Sequence, residues 1–171
     1  MLDWTKIILD GLIYSVAGSV YLVILLAIDN RMFLNKGDYP DDVLAAVPPR
    51  TKEETRKAAV LSLPWLAWGI AFPLYSTYGF ADQGAASHSF GSLFMHAFLI
   101  FFSFWLVDLL ILDGIMFCLI TPRFVVIPGT EGFPGYKDFG MHVRGHFTKG
   151  LVYIAVSGAL VAVLVWLLLM T

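Results

Sequence analysis

The sequence predicts an all-α protein: a four-helix transmembrane bundle with a short amphipathic helix in the first cytoplasmic loop, forming a single integral membrane domain over residues 1–171. Three observations lead there. Hydrophobic residues make up 58% of the chain and charged residues only 14%, whereas soluble domains hold roughly 45–50% and about 25%. The apolar residues gather into four stretches, each near the roughly 20 residues needed to cross about 30 Å of hydrocarbon. Lysine and arginine are concentrated in two of the connections. Such a composition, with a mean hydropathy of +0.77, excludes a disordered chain, a collagen-like fibre and a typical soluble enzyme.

The first span covers about 7–28; Asp10 interrupts it near its start and Asp29-Asn30-Arg31 closes it. It is longer than the roughly 7–15 residues of a signal-peptide core and lacks a small-residue cleavage site. In the loop that follows, residues 41–47 lie between prolines and read as the short amphipathic helix. Thr51-Lys52-Glu53-Glu54 has the spacing of a capping box, in which threonine accepts from an orphan backbone N–H and glutamate reaches back. The second span, about 58–78, is therefore expected to extend beyond the membrane as one helix. Pro64 and Pro73 within it read as packing kinks. The third span covers about 91–120 and is long enough to tilt. After Pro122, Pro128-Gly129 places proline and glycine where a type II turn needs them. The fourth span covers about 150–170.

Lipid gives leucine no reason to leave it, so helices associate through close backbone approach and polar contacts. Gly11, Ser15 and Ser19 recur at spacing four, as do Ala155 and Ala159, and Gly158 and Ala162. These stripes suit seams within the chain, and the same spacing suits a homo-oligomer or a larger membrane complex. Trp4, Trp65, Trp68 and Trp166 are expected near span ends, at headgroup level.

Arg31, Lys36, Arg50, Lys52, Arg56 and Lys57 lie between spans one and two; Arg123, Lys137, Arg144 and Lys149 lie between spans three and four. By the positive-inside rule, loops 29–57 and 121–149 are cytoplasmic and both termini lie outside a plasma (inner) membrane. Six acidic residues balance the six basic ones of the first loop, and the net charge is -2, so the lipid bilayer is an expected partner and nucleic acid is not. The single cysteine, Cys118, excludes an intramolecular disulfide and reads as a small buried hydrophobe.

The costliest residues are Asp108 and Asp113, inside an apolar run. A carboxylate at a membrane helix centre costs about 2.5–3.5 kcal/mol on the insertion scale, so both need partners. Five α-helical positions turn the chain through about 140°, which places the two carboxylates on different faces and predicts separate partners. Candidates are the hydroxyls of Tyr14, Ser15, Tyr21, Tyr75, Tyr153 and Ser157, water, a metal, or Arg123, Arg144 or Lys149 reaching in. Glu131 and Asp138, near the cytoplasmic ends of spans three and four, would complete a site with Asp113, although a turn alone also explains their segment. His142 and His146 stand at i, i+4, which presents two imidazoles on one helix face; with a carboxylate as third ligand this would be a metal site. His88 and His96 fall across the membrane from that pair, which argues against a bis-histidine haem.

The run Asp108-x4-Asp113-x4-Cys118, followed by Ile127-Pro128-Gly129-Thr130-Glu131 and then Tyr136-Lys-Asp-Phe-Gly-Met-His142, resembles an uncharacterised group of small prokaryotic four-helix integral membrane proteins. The resemblance covers the last two spans and the loop between them. It implies the four-helix architecture and points to Asp108, Asp113, Glu131 and His142, without an activity.

No P-loop, nucleophile elbow or dinucleotide fingerprint is present. The expectation is a non-enzymatic accessory or scaffold subunit, or a small binding or transport module with a buried carboxylate site. The alternative is a membrane-embedded enzyme or redox protein using a metal, haem or quinone-like lipid at the cytoplasmic face.

Overall fold

The computed structural model describes residues 2–35, 37–82 and 89–170; Lys36 and His88 lie outside them. Helix α1 spans Trp4–Ile28, opened by Asp3, whose side chain accepts from the Lys6 N–H. Helix α2 is the short Asp41–Ala46. Helix α3 runs over Lys52–Asp82, and its first turn carries the expected capping box: Thr51 N–H donates to Glu54 Oε2 at 2.6 Å and Glu54 N–H to Thr51 Oγ1 at 3.1 Å. Helix α4, Phe90–Val107, continues without a break into a π-helical segment, Asp108–Ile120. A single 3₁₀ turn, Pro134–Lys137, precedes α5, Phe139–Gly145, which passes through a second π-type segment, His146–Gly150, into α6, Leu151–Leu168.

Four of these helices are long and apolar enough to cross a membrane: Trp4–Ile28, Lys52–Asp82, Phe90–Ile120 and Phe139–Leu168. The fourth starts well before residue 150, where hydropathy alone placed it. Its first turns carry His142, Arg144, His146 and Lys149, whose polarity hides a continuous helix from a hydropathy reading. The N-cap of that helix is Asp138, which accepts from the Met141 N–H.

Helix α4 packs against α1 and α6, and α3 packs against α1, α4 and α6. Small residues make these contacts close. A Cβ on Gly11 would meet the Ser103 side chain at 2.7 Å, and one on Gly158 would meet the Phe98 backbone at 3.2 Å. The stripes of Gly11 and Gly158 are therefore used as seams inside the chain. Trp65 and Trp68 do not stand at helix ends: their rings line up with Tyr14, with centroids 6.4 and 6.3 Å away, in mid-bundle. The outward faces of α1, α3 and α6 remain apolar, with Leu12, Leu66 and Leu160 each more than half exposed.

At the end opposite the chain termini, the two long connections pack on each other. Tyr39, Val43, Val125, Ile127 and Tyr136 form one buried cluster with Phe117 and Cys118 of the π segment. The Tyr39 hydroxyl lies 2.9 Å from the Asn30 carbonyl and 2.8 Å from that of Val125, and Asp42 Oδ2 accepts from the Gly135 N–H. The turn at Pro128-Gly129 forms with Gly129 at φ 87° and a Thr130 N–H to Ile127 carbonyl bond of 3.1 Å, a conformation glycine adopts without a Cβ penalty. This layer caps the bundle and sets the mouth of the cleft described next.

Candidate metal centre

Asp108 is the first residue of the π segment, and that segment changes where its side chains point. In an α-helix Asp108 and Asp113 would diverge by about 140°. With i→i+5 hydrogen bonding, residues five apart lie about one turn above each other. The geometry is visible where the segment ends, as Thr121 N–H donates to Met116 O at 2.9 Å. The two carboxylates consequently reach one site, and the expectation of separate faces is corrected.

Across from them stand the two histidines of the α5 turn. His142 Nδ1 and His146 Nε2 each lie 3.0 Å from the same oxygen, Asp113 Oδ2, and His146 Nε2 is 3.6 Å from Asp108 Oδ2. One ligand atom each from Asp108, Asp113 and His146 falls within 4.8 Å of the others. Donors held about 2.0–2.2 Å from a tetrahedral metal stand roughly 3.4 Å apart, so separations of 3.0 and 3.6 Å suit a shared cation with little movement. His142 stands outside that group of three and orients Asp113 through its Nδ1. It is nearly buried, and its Nε2, like the Nδ1 of His146, is enclosed without a hydrogen-bond partner. Trp105 helps fix the helix that carries them, donating from Nε1 to the His146 carbonyl at 3.2 Å.

The charge balance at this site is set by the protonation of its two histidines. Among the described residues no lysine or arginine forms an ion pair with Asp108 or Asp113; their close partners are the two histidines. The expected hydroxyl partners are likewise absent from the described hydrogen bonds of these two carboxylates. Arg144 instead faces Asp138 at 3.8 Å. Asp38, from the loop after α1, lines the same cleft. Its side chain is exposed at the cleft, and its pKa is raised by partial desolvation there and by the negative charge of Asp113, opposed by the Asn35 hydrogen bond. The cleft holds about 990 Å³, with Asp38, Asp108, Asp113 and His146 on its polar side and Leu22, Phe104 and Trp105 among its apolar walls.

Glu131 and Asp138 are not part of this centre, which corrects the expectation that they complete it. Glu131 is exposed and accepts from the Gly129 N–H within its own turn. Asp138 is spent as the cap of α5.

A second polar cluster lies at the end that carries the termini. Asp10 Oδ2 accepts from Lys6 Nζ at 2.7 Å and from Ser76 Oγ at 2.6 Å, and Ser76 Oγ is 3.0 Å from His96 Nε2. His96 thus belongs to the opposite half of the bundle from His142 and His146, which leaves no bis-histidine arrangement for haem between them. The signal missed here was Asp10 itself, a carboxylate inside an apolar helix that is as costly as Asp108 by the same reasoning. Asp38 carried no local signal at all.

The chain matches no family model, and no similar curated protein or solved structure was found.

Proposed function

We propose that this is an integral membrane protein, with both termini outside and the 29–57 and 121–149 loops cytoplasmic, that binds a divalent transition-metal cation at its cytoplasmic mouth. The role is that of a small binding or transport module. The observation that carries it is the convergence of Asp108, Asp113 and His146 ligand atoms within 4.8 Å of one another, with His142 bonded to Asp113. With both imidazoles neutral, the two carboxylates carry a negative charge that a divalent cation neutralises, and binding the cation displaces the imidazole protons. Mixed nitrogen and oxygen donors favour zinc, manganese or iron over the all-oxygen coordination of calcium.

The test is metal analysis and calorimetric titration with zinc and manganese on protein purified in mild detergent. Stoichiometric binding that disappears in Asp113→Asn and in His146→Ala, with the elution profile unchanged, supports the reading. Metal-free protein that binds neither ion under titration refutes it.

A second reading is favoured by one observation: the donors face an open cleft of about 990 Å³ with an aromatic wall. A metal held by three side chains beside such a cleft keeps a coordination position for a substrate, the arrangement of catalytic centres. This is a membrane enzyme acting on an apolar molecule such as a quinone-like lipid. An absorption change of the metal-loaded protein on adding a short-chain quinone would favour it over the binding module.

A further inference from the structure

The cleft beside the metal centre is sealed at one end and open along one side, and the course of α3 decides which. Near the chain termini, Phe80 and Ala81 of α3 are buried with Val161, Ala162 and Val165 of α6. Toward the loops α3 packs on α1 instead: Ala58 is buried with Leu25 and Met32, and the Tyr21 hydroxyl donates to the Leu61 carbonyl at 2.7 Å. Among the described residues, Trp65 is the only one of α3 on the cleft wall. Its ring lies against Gly18, where a Cβ has no room, and 4.8 Å from the ring of Phe104, which seals the inner end. From there to the mouth the walls are Leu22, Val23 and Leu26 of α1 and Tyr153 and Ile154 of α6. These two helices have no packed seam between them.

The cleft therefore joins two environments. Its apolar walls continue the outward faces of α1 and α6, where Ile24 and Val156 are exposed, and its other end holds the carboxylates and imidazoles. Its volume of about 990 Å³ is at the top of the roughly 300–1,000 Å³ of small-molecule sites. An amphiphile suits this shape, with its head at the centre and its chain leaving between α1 and α6. The charges select the head. Arg144 and Lys149 are exposed at the polar end; Arg144 faces Asp138 at 3.8 Å, and Lys149 has no ion pair among the described residues. Asp38 and Asp41 on the facing loop carry the opposite sign, so an anionic head is held only when the centre holds its cation. A phosphate monoester carries about −1.5 to −2 charges at pH 7 and three acceptor oxygens. One oxygen takes the open position of a metal held by three side chains, while another meets the Lys149 ammonium, a point charge suited to phosphate. A carboxylate would bring a single charge to the two cations.

We propose that the cleft takes a phosphate-monoester amphiphile from the surrounding lipid, its head bridging the metal and Lys149 and its chain lying between α1 and α6. The proposal rests on the metal reading, and it names the class of lipid that a catalytic centre here would act on. Binding involves no covalent step.

The experiment uses the full chain in mild detergent, loaded with zinc, and follows its tryptophan fluorescence as lysophosphatidic acid with a brominated chain is added. Trp65 and Trp105 stand on the cleft wall, so seating of the chain is expected to quench them saturably. Brominated monoacylglycerol, which has the same chain and no phosphate, is expected to quench without saturating. Chelating the zinc and Lys149→Gln are each expected to weaken lipid binding about tenfold or more, as loss of a contact to a charged group does. Val23→Phe and Ile154→Phe narrow the gap, and neither residue is a metal donor; both are expected to abolish saturable quenching with zinc titration unaltered. Zinc-loaded wild type without saturable quenching overturns the proposal and leaves the metal reading standing, as does full lipid binding in Lys149→Gln and in both narrowed variants. Displacement of the lipid by inorganic phosphate at equal concentration also overturns it, assigning the centre to free phosphate. Wild type that takes up no zinc overturns both.

Discussion

The two ends of the bundle use the same side chains to opposite effect. At the terminal end, Asp10 has an ammonium 2.7 Å away, and Ser76 links its carboxylate to His96 Nε2. At the loop end, Asp108 and Asp113 face only imidazoles, and two nitrogens crowd one oxygen. The first cluster sets a permanent ammonium against its carboxylate, while the second sets two carboxylates against imidazoles whose charge depends on protonation, beside open space. Residue type alone does not mark a ligand site in a bundle of apolar helices. What marks it is whether the charge has been balanced from within.

The sharpest way to break this contrast is to delete one carboxylate at each end. Asp10→Asn leaves a largely buried ammonium without its partner, which is expected to cost about 3 kcal/mol, the lower end of the range for broken buried pairs. Asp108→Asn removes one of two crowded negative charges and is expected to change the metal-free protein by less than about 1 kcal/mol. Equilibrium unfolding in detergent measures both. Equal losses at the two ends would show that the loop-end charges are balanced after all.

Metal sharpens the same comparison. A ligand that binds only the folded state at a hundred times its dissociation constant stabilises it by about 2.7 kcal/mol. Zinc or manganese is expected to produce a shift of this size in wild type and in Ser76→Ala, and none in Asp113→Asn. A shift that survives Asp113→Asn would move the site elsewhere.

The layer that caps the loop end has no counterpart at the other. Tyr39→Phe leaves the Asn30 and Val125 carbonyls without the hydroxyl that lies 2.9 and 2.8 Å from them, and is expected to cost about 1 kcal/mol. Hydrogen exchange should quicken across residues 29–51 and 121–136 and stay unchanged around Ser76 and His96.

What could be read from the chain follows the range of the interaction that decides it. The four apolar stretches, the Thr51 and Glu54 cap, the short helix after Pro40 and the turn at Gly129 each depend on neighbours a few residues away, and all are visible in pattern. The pairing of His142 with His146 is visible for the same reason. The convergence of Asp108 with Asp113 is not, because it needs the segment to wind with a longer repeat than 3.6 residues, and nothing in an evenly apolar run signals that. Asp10, Ser76 and His96 are separated by 66 and 20 positions. Their meeting is a product of helix packing, and so is the partnership of Asp113 with a helix whose start the hydropathy pattern concealed.

The smallest expected effect lies at the boundary between capping layer and bundle. Asp29 closes α1, and its carboxylate takes a hydrogen bond from Lys57 on α3 at 2.8 Å. That bond lowers its pKa from the ordinary 3.8. A carboxyl whose folded value lies below its unfolded one stabilises the fold above the unfolded value, and the contribution fades as pH falls through the folded one. Lys57 is about half exposed, so water and salt screen the pair and its worth is below about 1 kcal/mol. Asp29→Asn should therefore lower stability slightly at pH 7 and leave it unchanged once pH has fallen below the folded pKa, with the difference shrinking in high salt. A difference that persisted in acid would assign the effect to the cap of α1, through the Arg31 N–H that Asp29 also accepts at 3.0 Å, and not to the charge pair.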